Sequence, residues 1–457
     1  MGADLNLGQF STVRTTPYGG RGVYAQTYIK AGTCVQRCPA PYAYVIARKF
    51  RKEVCAWCFK YAFEHGKNTW RWKYEAAECD SSAPHVHEQE PRKKSTKRKG
   101  KTAGENVAGI SFCSAECRST WCCDIDVGGL HAALNATVEK LVVPHKDRKT
   151  ADPSPPAVPQ SGEDEADDLT LLQTLQRHWT HTSDVLLSSV SSDTPIMATR
   201  QTLSHQEQLG MIWKQAELLY IPSKQHSRHF QPCREEHLTE FEVDTGRFVI
   251  SALVRYFSEE IPAAGGSTTQ QITSDRDLPC GGGGPGKPAV TAAHLRVYGF
   301  VRRVIEMTLQ AVAARPRDWN RLRTYVDKSD FVRGLLGRDH GNVFGIWDCA
   351  DQDDSEMLGW GMYVQGSYFN HDCSPNVKKQ RVGRAMNFYA IRDIMPGEEM
   401  RIAYINVADP VINRRAELKE EWYFDCICAR CQAEHHLGSI TSVDVVVDSG
   451  YISQVDD

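Results

Sequence analysis

The sequence lacks any long hydrophobic run. No apolar stretch approaches the ~20 residues that a membrane-spanning helix needs, so a spanning helix is not expected. The opening Met1-Gly-Ala-Asp-Leu-Asn has neither a basic region nor an apolar one, so secretion is not expected either. Net charge is only −3, too small for bulk electrostatic capture of nucleic acid. No internal repeat is visible. A disulfide framework is also excluded, because such frameworks belong to small secreted chains and this one has 457 residues. What is plentiful is cysteine, with 16 in the chain. Close thiol pairs in a reducing compartment point to zinc or redox chemistry. The length allows about two to four domains.

Near the N-terminus, Gly19-Gly-Arg-Gly22 lies between short β-like runs. Val23, Ala25 and Ile29 suit strands, and Cys34-Val35 opens another. Such a glycine cluster suits a plain hairpin turn or a backbone brought close to a ligand. Cys55-Ala-Trp-Cys58 and Cys113-Ser-Ala-Glu-Cys117 are two close thiol pairs that fit one tetrahedral zinc. Cys79, His85, His87, Cys122 and Cys123 offer material for a second site, or are buried thiols and solvated loop histidines. Residues 92–101 form a basic run that reads as an import signal, a polyanion contact or a solvated insertion. Residues 146–168 are a linker by composition. Stripes at helical spacing follow: Leu169, Leu172 and Leu175, then a Ser204/Glu207 capping box before Leu209, Ile212, Trp213, Ala216 and Leu219. Phe248, Ala252, Leu253 and Phe257 form the next stripe; Leu295, Tyr298, Val301 and Ile305 form the last. They read as core packing. Residues 263–288, rich in Gly, Ser and Thr, read as a flexible loop.

The last third changes character. Asn342-Val-Phe-Gly-Ile346 is strand-like, and 381–391 reads as a hairpin. Between them sits Asn370-His371-Asp372-Cys373-Ser374-Pro375-Asn376. Gly397-Glu398-Glu399 leads to Tyr404, and Trp422-Tyr423-Phe424-Asp425 enters the knuckle Cys426-Ile-Cys428-Ala-Arg-Cys431. Taken singly, Asn370 and His371 are turn and core polar residues or part of a site. Glu399 and Arg401 read as structural charges.

Taken in order, these segments resemble the SET domain and post-SET knuckle of S-adenosylmethionine-dependent protein lysine methyltransferases. Gly20-Arg21-Gly22-Val23-Tyr24-Ala25 resembles the family's opening strand. The run from Cys38 to Val45, followed by Cys55-x-x-Cys58, resembles the SMYD-like subgroup, whose SET domain is split by a MYND zinc module. The resemblance covers 12–60, 110–121 and 340–433. It implies an α+β fold whose SET β-fold contains a pseudoknot. The implied order is SET N-terminal part (1–48), MYND-like zinc insertion (49–131), linker (132–168) and helical insertion (169–340). SET core (341–410), post-SET knuckle (411–435) and tail (436–457) complete it.

The resemblance also implies roles. Tyr404 is the active-site tyrosine. Asn370, the His371 backbone, Asn342, Gly20, Arg21 and Phe424 bind S-adenosylmethionine. Cys55, Cys58, Cys113 and Cys117 hold one structural zinc; Cys373, Cys426, Cys428 and Cys431 hold another. Trp422 and Tyr423 are candidates for the lysine channel. The MYND part departs from its pattern, because Cys122-Cys123-Asp124 stands where a His-x-x-x-Cys is usual. Gly19 replaces a frequent lysine and Trp422 a frequent tyrosine. The implied function is methylation of a lysine on a protein substrate, histone or other. The alternative is a catalytically silent SET/MYND scaffold. The chain is expected to be a monomer of nucleus and/or cytoplasm, with protein partners at the MYND-like module, no membrane and no specific nucleic acid.

Overall fold

The computed structural model describes residues 5–18, 20–74, 108–142, 209–210, 212–214, 216–217, 238–260, 288–311, 317–348 and 355–440. The basic run, the 146–168 linker, the first leucine stripe, the capping box, Leu219, Cys79, His85, His87 and all but the last residue of 263–288 lie outside these. In chain order the strands are β1 (Leu5–Asn6), β2 (Ser11–Thr15), β3 (Arg21–Ala25), β4 (Cys34–Cys38), β5 (Ala43–Ile46), β6 (Trp72–Lys73) and β7 (Ser111–Phe112). Then come β8 (Val343–Trp347), β9 (Met357–Met362), β10 (Asn370–His371), β11 (Val377–Val382), β12 (Ala385–Ala390) and β13 (Glu399–Ile402). The helices are α1 (Ala115–Asp124), α2 (Leu130–Leu141), α3 (Glu240–Glu260), α4 (Pro288–Ala311), α5 (Leu322–Val326), α6 (Asp330–Asn342), α7 (Val411–Glu421) and α8 (Ala429–Ile440). The fold is α+β, and no helix among the described residues is long and apolar enough to cross a membrane.

Two compact units emerge. The first comprises 1–36, 368–379 and 388–457. Its centre is a five-stranded sheet in the order β1-β2-β3-β13-β10. β2 and β3 are antiparallel, with Thr15 opposite Arg21. β13 lies antiparallel to β3, with Met400 opposite Val23, and takes β10 as a parallel neighbour, Asn370 opposite Arg401 and His371 opposite Ile402. The alternation in β3 buries Gly22, Val23 and Ala25. Three stretches far apart in sequence thus meet on adjacent strands: the opening glycine turn, the Asn-His pair and the segment before Tyr404.

The second unit comprises 37–367 and 380–387. β5, β9 and β8 form an antiparallel sheet, and β6 pairs with β7. The main core lies among α2–α6 with β5 and β9. Here the helical spacings read from the sequence are met: Phe248, Ala252, Leu253 and Phe257 of α3 are buried with Leu295, Tyr298, Val301 and Ile305 of α4, and with Leu209, Trp213 and Ala216. A stripe at positions i, i+4, i+5 faces one side of a helix, so burial against a neighbouring helix follows. At Gly246, α3 packs directly against Phe300 of α4. A Cβ there would stand 2.7 Å from Phe300 Cδ1 and 2.9 Å from Cε1. Alanine gains roughly 1 kcal/mol of helix propensity over glycine, but overpacking a filled core costs about 1–3 kcal/mol. Gly246→Ala is therefore expected to lower the denaturant midpoint, and a raised midpoint would show that the helices can part at no cost.

Candidate functional site

In the first unit the Asn370 amide is fixed from three sides. The two hydrogens on Nδ2 are shared among three acceptors, the Arg21 carbonyl (3.0 Å), Glu399 Oε1 (2.9 Å) and the Tyr18 hydroxyl (3.1 Å). A carbonyl and a carboxylate only accept, so the NH₂ end must face them. That leaves Oδ1 turned away as an acceptor suited to an ammonium group. Glu399 is held in turn: Arg401 donates to Oε2 from Nε (2.9 Å) and Nη2 (2.5 Å), and Tyr18 donates to Oε1. Arg401 also reaches Asp372 at 3.0 Å, and its backbone N–H donates to Asn376 Oδ1 at 2.7 Å. Asn376 closes the set by donating to the Glu399 carbonyl at 2.8 Å. Gly22 makes room for this network. A Cβ there would fall 2.5 Å from Glu399 Oε1, 2.8 Å from Asn370 Nδ2 and 3.0 Å from Thr16 Cγ2. The second glycine of the opening motif therefore serves close approach. Arg21 lays its guanidinium over the Tyr368 ring at 4.9 Å, and Gly20 takes a left-handed turn conformation with φ 73°.

Two residues past β13, the half-buried Tyr404 donates its hydroxyl hydrogen to the Phe369 carbonyl at 2.8 Å. Burial, with the Glu399 charge added, pushes this phenol well above its ordinary pKa, so it stays neutral. Its ring lies 5.8 Å from Trp422 and 5.4 Å from His371, and Phe424 lies 6.1 Å from His371. Trp422 thus supplies an aromatic wall beside Tyr404. His371 is buried, and loss of solvation brings its imidazole down to about 4. Tyr404 N–H donates to Nδ1 at 3.1 Å, and Nε2 lies 3.3 Å from Cys373 Sγ.

Cys373, Cys426, Cys428 and Cys431 are all buried, with sulfurs within 4.8 Å of one another. Cys373 Sγ is 3.5 Å from Cys431 Sγ and 4.0 Å from Cys426 Sγ. A tetrahedron built on Zn–S bonds of ~2.3 Å has edges of about 3.8 Å, so the set fits zinc. The surroundings suit thiolates too. Arg414, whose side chain is 1% exposed, places Nη2 3.8 Å from Cys431 Sγ while bonding Glu434 at 2.6 Å. The Cys431 N–H donates to Cys428 Sγ at 3.4 Å. Tyr404, Trp422 and Phe424 pack against this cysteine cluster, so the knuckle and the aromatic wall form one body.

In the second unit Cys55, Cys58, Cys113 and Cys117 make a comparable set within 4.8 Å. Cys113 Sγ lies 3.5 Å from both Cys58 and Cys117. Ser114 caps α1 by accepting from Cys117 N–H at 3.1 Å, which turns Cys117 back toward Cys113. Hydrogen bonding from Cys55 holds Cys113 and Cys117 below the ordinary thiol range, which favours thiolate ligands. All eight cysteines are free, and both sets could hold zinc.

The SET-domain profile matches residues 20–405. The chain belongs to the SET-domain family. Its relatives are of the SMYD-like type. A potential protein lysine methyltransferase of Saccharomyces cerevisiae, SET6, is 44% identical over 105 residues, 22% of this chain and 28% of that protein. A SET and MYND domain-containing protein of Dictyostelium discoideum is 37% identical over 122 residues, 27% of this chain and 30% of that protein. N-lysine methyltransferase SMYD2-B of Danio rerio is 29% identical over 154 residues, 34% of this chain and 32% of that protein. The matched stretches thus span less than a third of each relative.

Within this SET-domain chain, the first unit brings together Gly20, Arg21, Asn370, His371, Tyr404, Trp422, Phe424 and the Cys373 cluster. Tyr423, just after α7, takes a left-handed backbone with φ 60° and is half-buried. Asn342 belongs to the second unit, buried at the end of α6, where its carbonyl accepts from the Ser367 hydroxyl at 2.9 Å. Sequence reasoning missed Tyr18 and Arg414, and it read Glu399 and Arg401 only as structural charges. A signal for Glu399 existed in its place within Gly397-Glu398-Glu399. Tyr18 and Arg414 carried none.

Proposed function

We propose that the chain is an S-adenosylmethionine-dependent protein lysine N-methyltransferase with a protein substrate, histone or other. The observation that carries this reading is Tyr404: a neutral phenol, its hydrogen committed to the Phe369 carbonyl, in an aromatic wall on the unit that also orients Asn370. The relatives named as lysine methyltransferases support it. S-adenosylmethionine supplies a sulfonium methyl group open to in-line attack by a neutral amine. Asn370 Oδ1 would accept from its ammonium, Arg21 would pair with its carboxylate, and the His371 backbone, Phe424 and Gly20 would complete the pocket on this unit. With its hydrogen given to Phe369, the Tyr404 oxygen keeps lone pairs to accept from a substrate amine and orient it. Trp422, Phe424 and Tyr404 present a low-dielectric surface that disfavours an ammonium, so the substrate lysine gives its proton to solvent water on entry and no side-chain base is needed. Alignment of this kind can supply roughly 7–11 kcal/mol. The two thiol sets would hold structural zinc, since four thiolates leave no open position.

Calorimetry with S-adenosylmethionine, followed by Tyr404→Phe, tests the proposal. The wild-type protein is expected to bind the cofactor. The variant is expected to bind it equally well and to lose about 100-fold in kcat, the scale of removing one oriented hydroxyl. Wild-type protein that binds no cofactor would sink the reading.

A further inference from the structure

We propose that His371 is a positioning residue that ties the zinc ligand Cys373 to the active-site Tyr404. It accepts the Tyr404 backbone N–H at Nδ1 and donates from Nε2 to the Cys373 sulfur. This goes beyond a backbone contact to adenine, and it rests on the zinc and active-site readings given above.

The ring has two nitrogens with opposite duties when neutral. A peptide N–H can only donate, so Nδ1, 3.1 Å from Tyr404 N, is the acceptor. The single ring proton is then on Nε2, 3.3 Å from Cys373 Sγ. The residue is 8% exposed, so water competes little for either bond. A zinc-bound thiolate is a charged acceptor, and hydrogen bonds to charged groups are the stronger ones. Two neighbouring sulfurs already receive N–H groups, Cys431 from Arg414 and Cys428 from the Cys431 backbone. His371 brings the same kind of support to the one ligand that the knuckle does not supply. The consequence is directional: the metal-bound sulfur fixes the tautomer, the tautomer keeps Nδ1 free to accept, and Nδ1 holds the backbone of Tyr404. Partners outside the ligand set commonly change metal affinity by about 10- to 100-fold when removed.

The test uses the full chain with cobalt(II) in place of zinc, as wild type, His371→Leu and His371→Gln. Losing an N–H donor makes a thiolate a better electron donor. The sulfur-to-cobalt charge-transfer band of His371→Leu is therefore expected at lower energy. Its zinc is expected to pass to a chelator about 10-fold faster. Its kcat falls while KM for S-adenosylmethionine stays near wild type, and Gln, which can still donate, recovers part of each change. A band and a release rate unmoved by residue 371 overturn the link. No cobalt–thiolate band in the wild-type protein would overturn the zinc reading and the link with it. Should His371→Leu fail to fold, nitrogen-15 spectra of histidine in the wild-type zinc protein decide. The Nε2–H tautomer is expected for His371 at neutral pH, and the Nδ1–H tautomer or an imidazolium refutes the proposal.

Discussion

Gly22→Ala is expected to weaken S-adenosylmethionine binding by about 10- to 100-fold while leaving zinc content unchanged. The added Cβ would stand 2.5 Å from Glu399 Oε1 and 2.8 Å from Asn370 Nδ2, too close for any heavy-atom contact that is not a bond or a strong hydrogen bond. Something must move. The backbone resists, because β3 is paired with β2 from Ser11–Ala25 to Thr15–Arg21 and with β13 on its other side. Glu399 resists as well, with a side chain 7% exposed and pinned by Arg401. What yields is the Asn370 amide, which loses its bond to the carboxylate and with it the orientation of Oδ1. A hydrogen bond to a charged group contributes about 1.5–3 kcal/mol, and each 1.4 kcal/mol is tenfold in affinity. Calorimetry reads the affinity directly. An unchanged dissociation constant would mean that Asn370 does not hold the cofactor.

Cys373→Ser is expected to lower metal content from two zincs to one and to abolish methyl transfer. Cys373 is the one ligand of its set that lies outside the knuckle. Serine offers a poor zinc ligand, and the change leaves three buried thiols beside the buried Arg414 cation. Without the metal, the knuckle loses its tie to the Asn370–His371 strand, and Trp422 and Phe424 lose the cluster they pack on. Structural zinc in small sites contributes about 10–16 kcal/mol of apparent binding free energy, so a substantial fall in melting temperature accompanies the loss. Metal analysis of the purified variant checks the count. Two zincs retained would show that Cys373 is not a ligand.

What was legible in the sequence was the local chemistry. Cys55-x-x-Cys58 and Cys426-x-Cys-x-x-Cys431 announce ligands because neighbouring thiols in a short turn face one ion. The stripes of α3 and α4 announce a core because their period matches a helix. The partnership of Cys373 with the knuckle and the role of Tyr404 came from the resemblance, and the four thiols do lie within 4.8 Å of one another. Illegible were the residues whose role depends on which strands become neighbours. Tyr18 and Glu399 are separated by 381 residues and meet only because β13 pairs with β3. Gly22 reads as a turn glycine until β13 brings Glu399 against it. Arg414 becomes a cation beside the thiols only because α7 packs on them. Trp422 stands where a tyrosine is usual, yet its place beside Tyr404 keeps the wall aromatic.

The central claim is that Tyr404 and Asn370 serve methyl transfer to lysine. The measurement that tests it most directly is transfer of isotopic methyl from S-adenosylmethionine to a lysine peptide array by the zinc-loaded full chain. Label is expected on lysine side-chain nitrogen and is expected to be lost in Tyr404→Phe. Protein that carries its zinc and binds the cofactor yet labels no lysine would contradict it, and would leave a SET/MYND scaffold in its place.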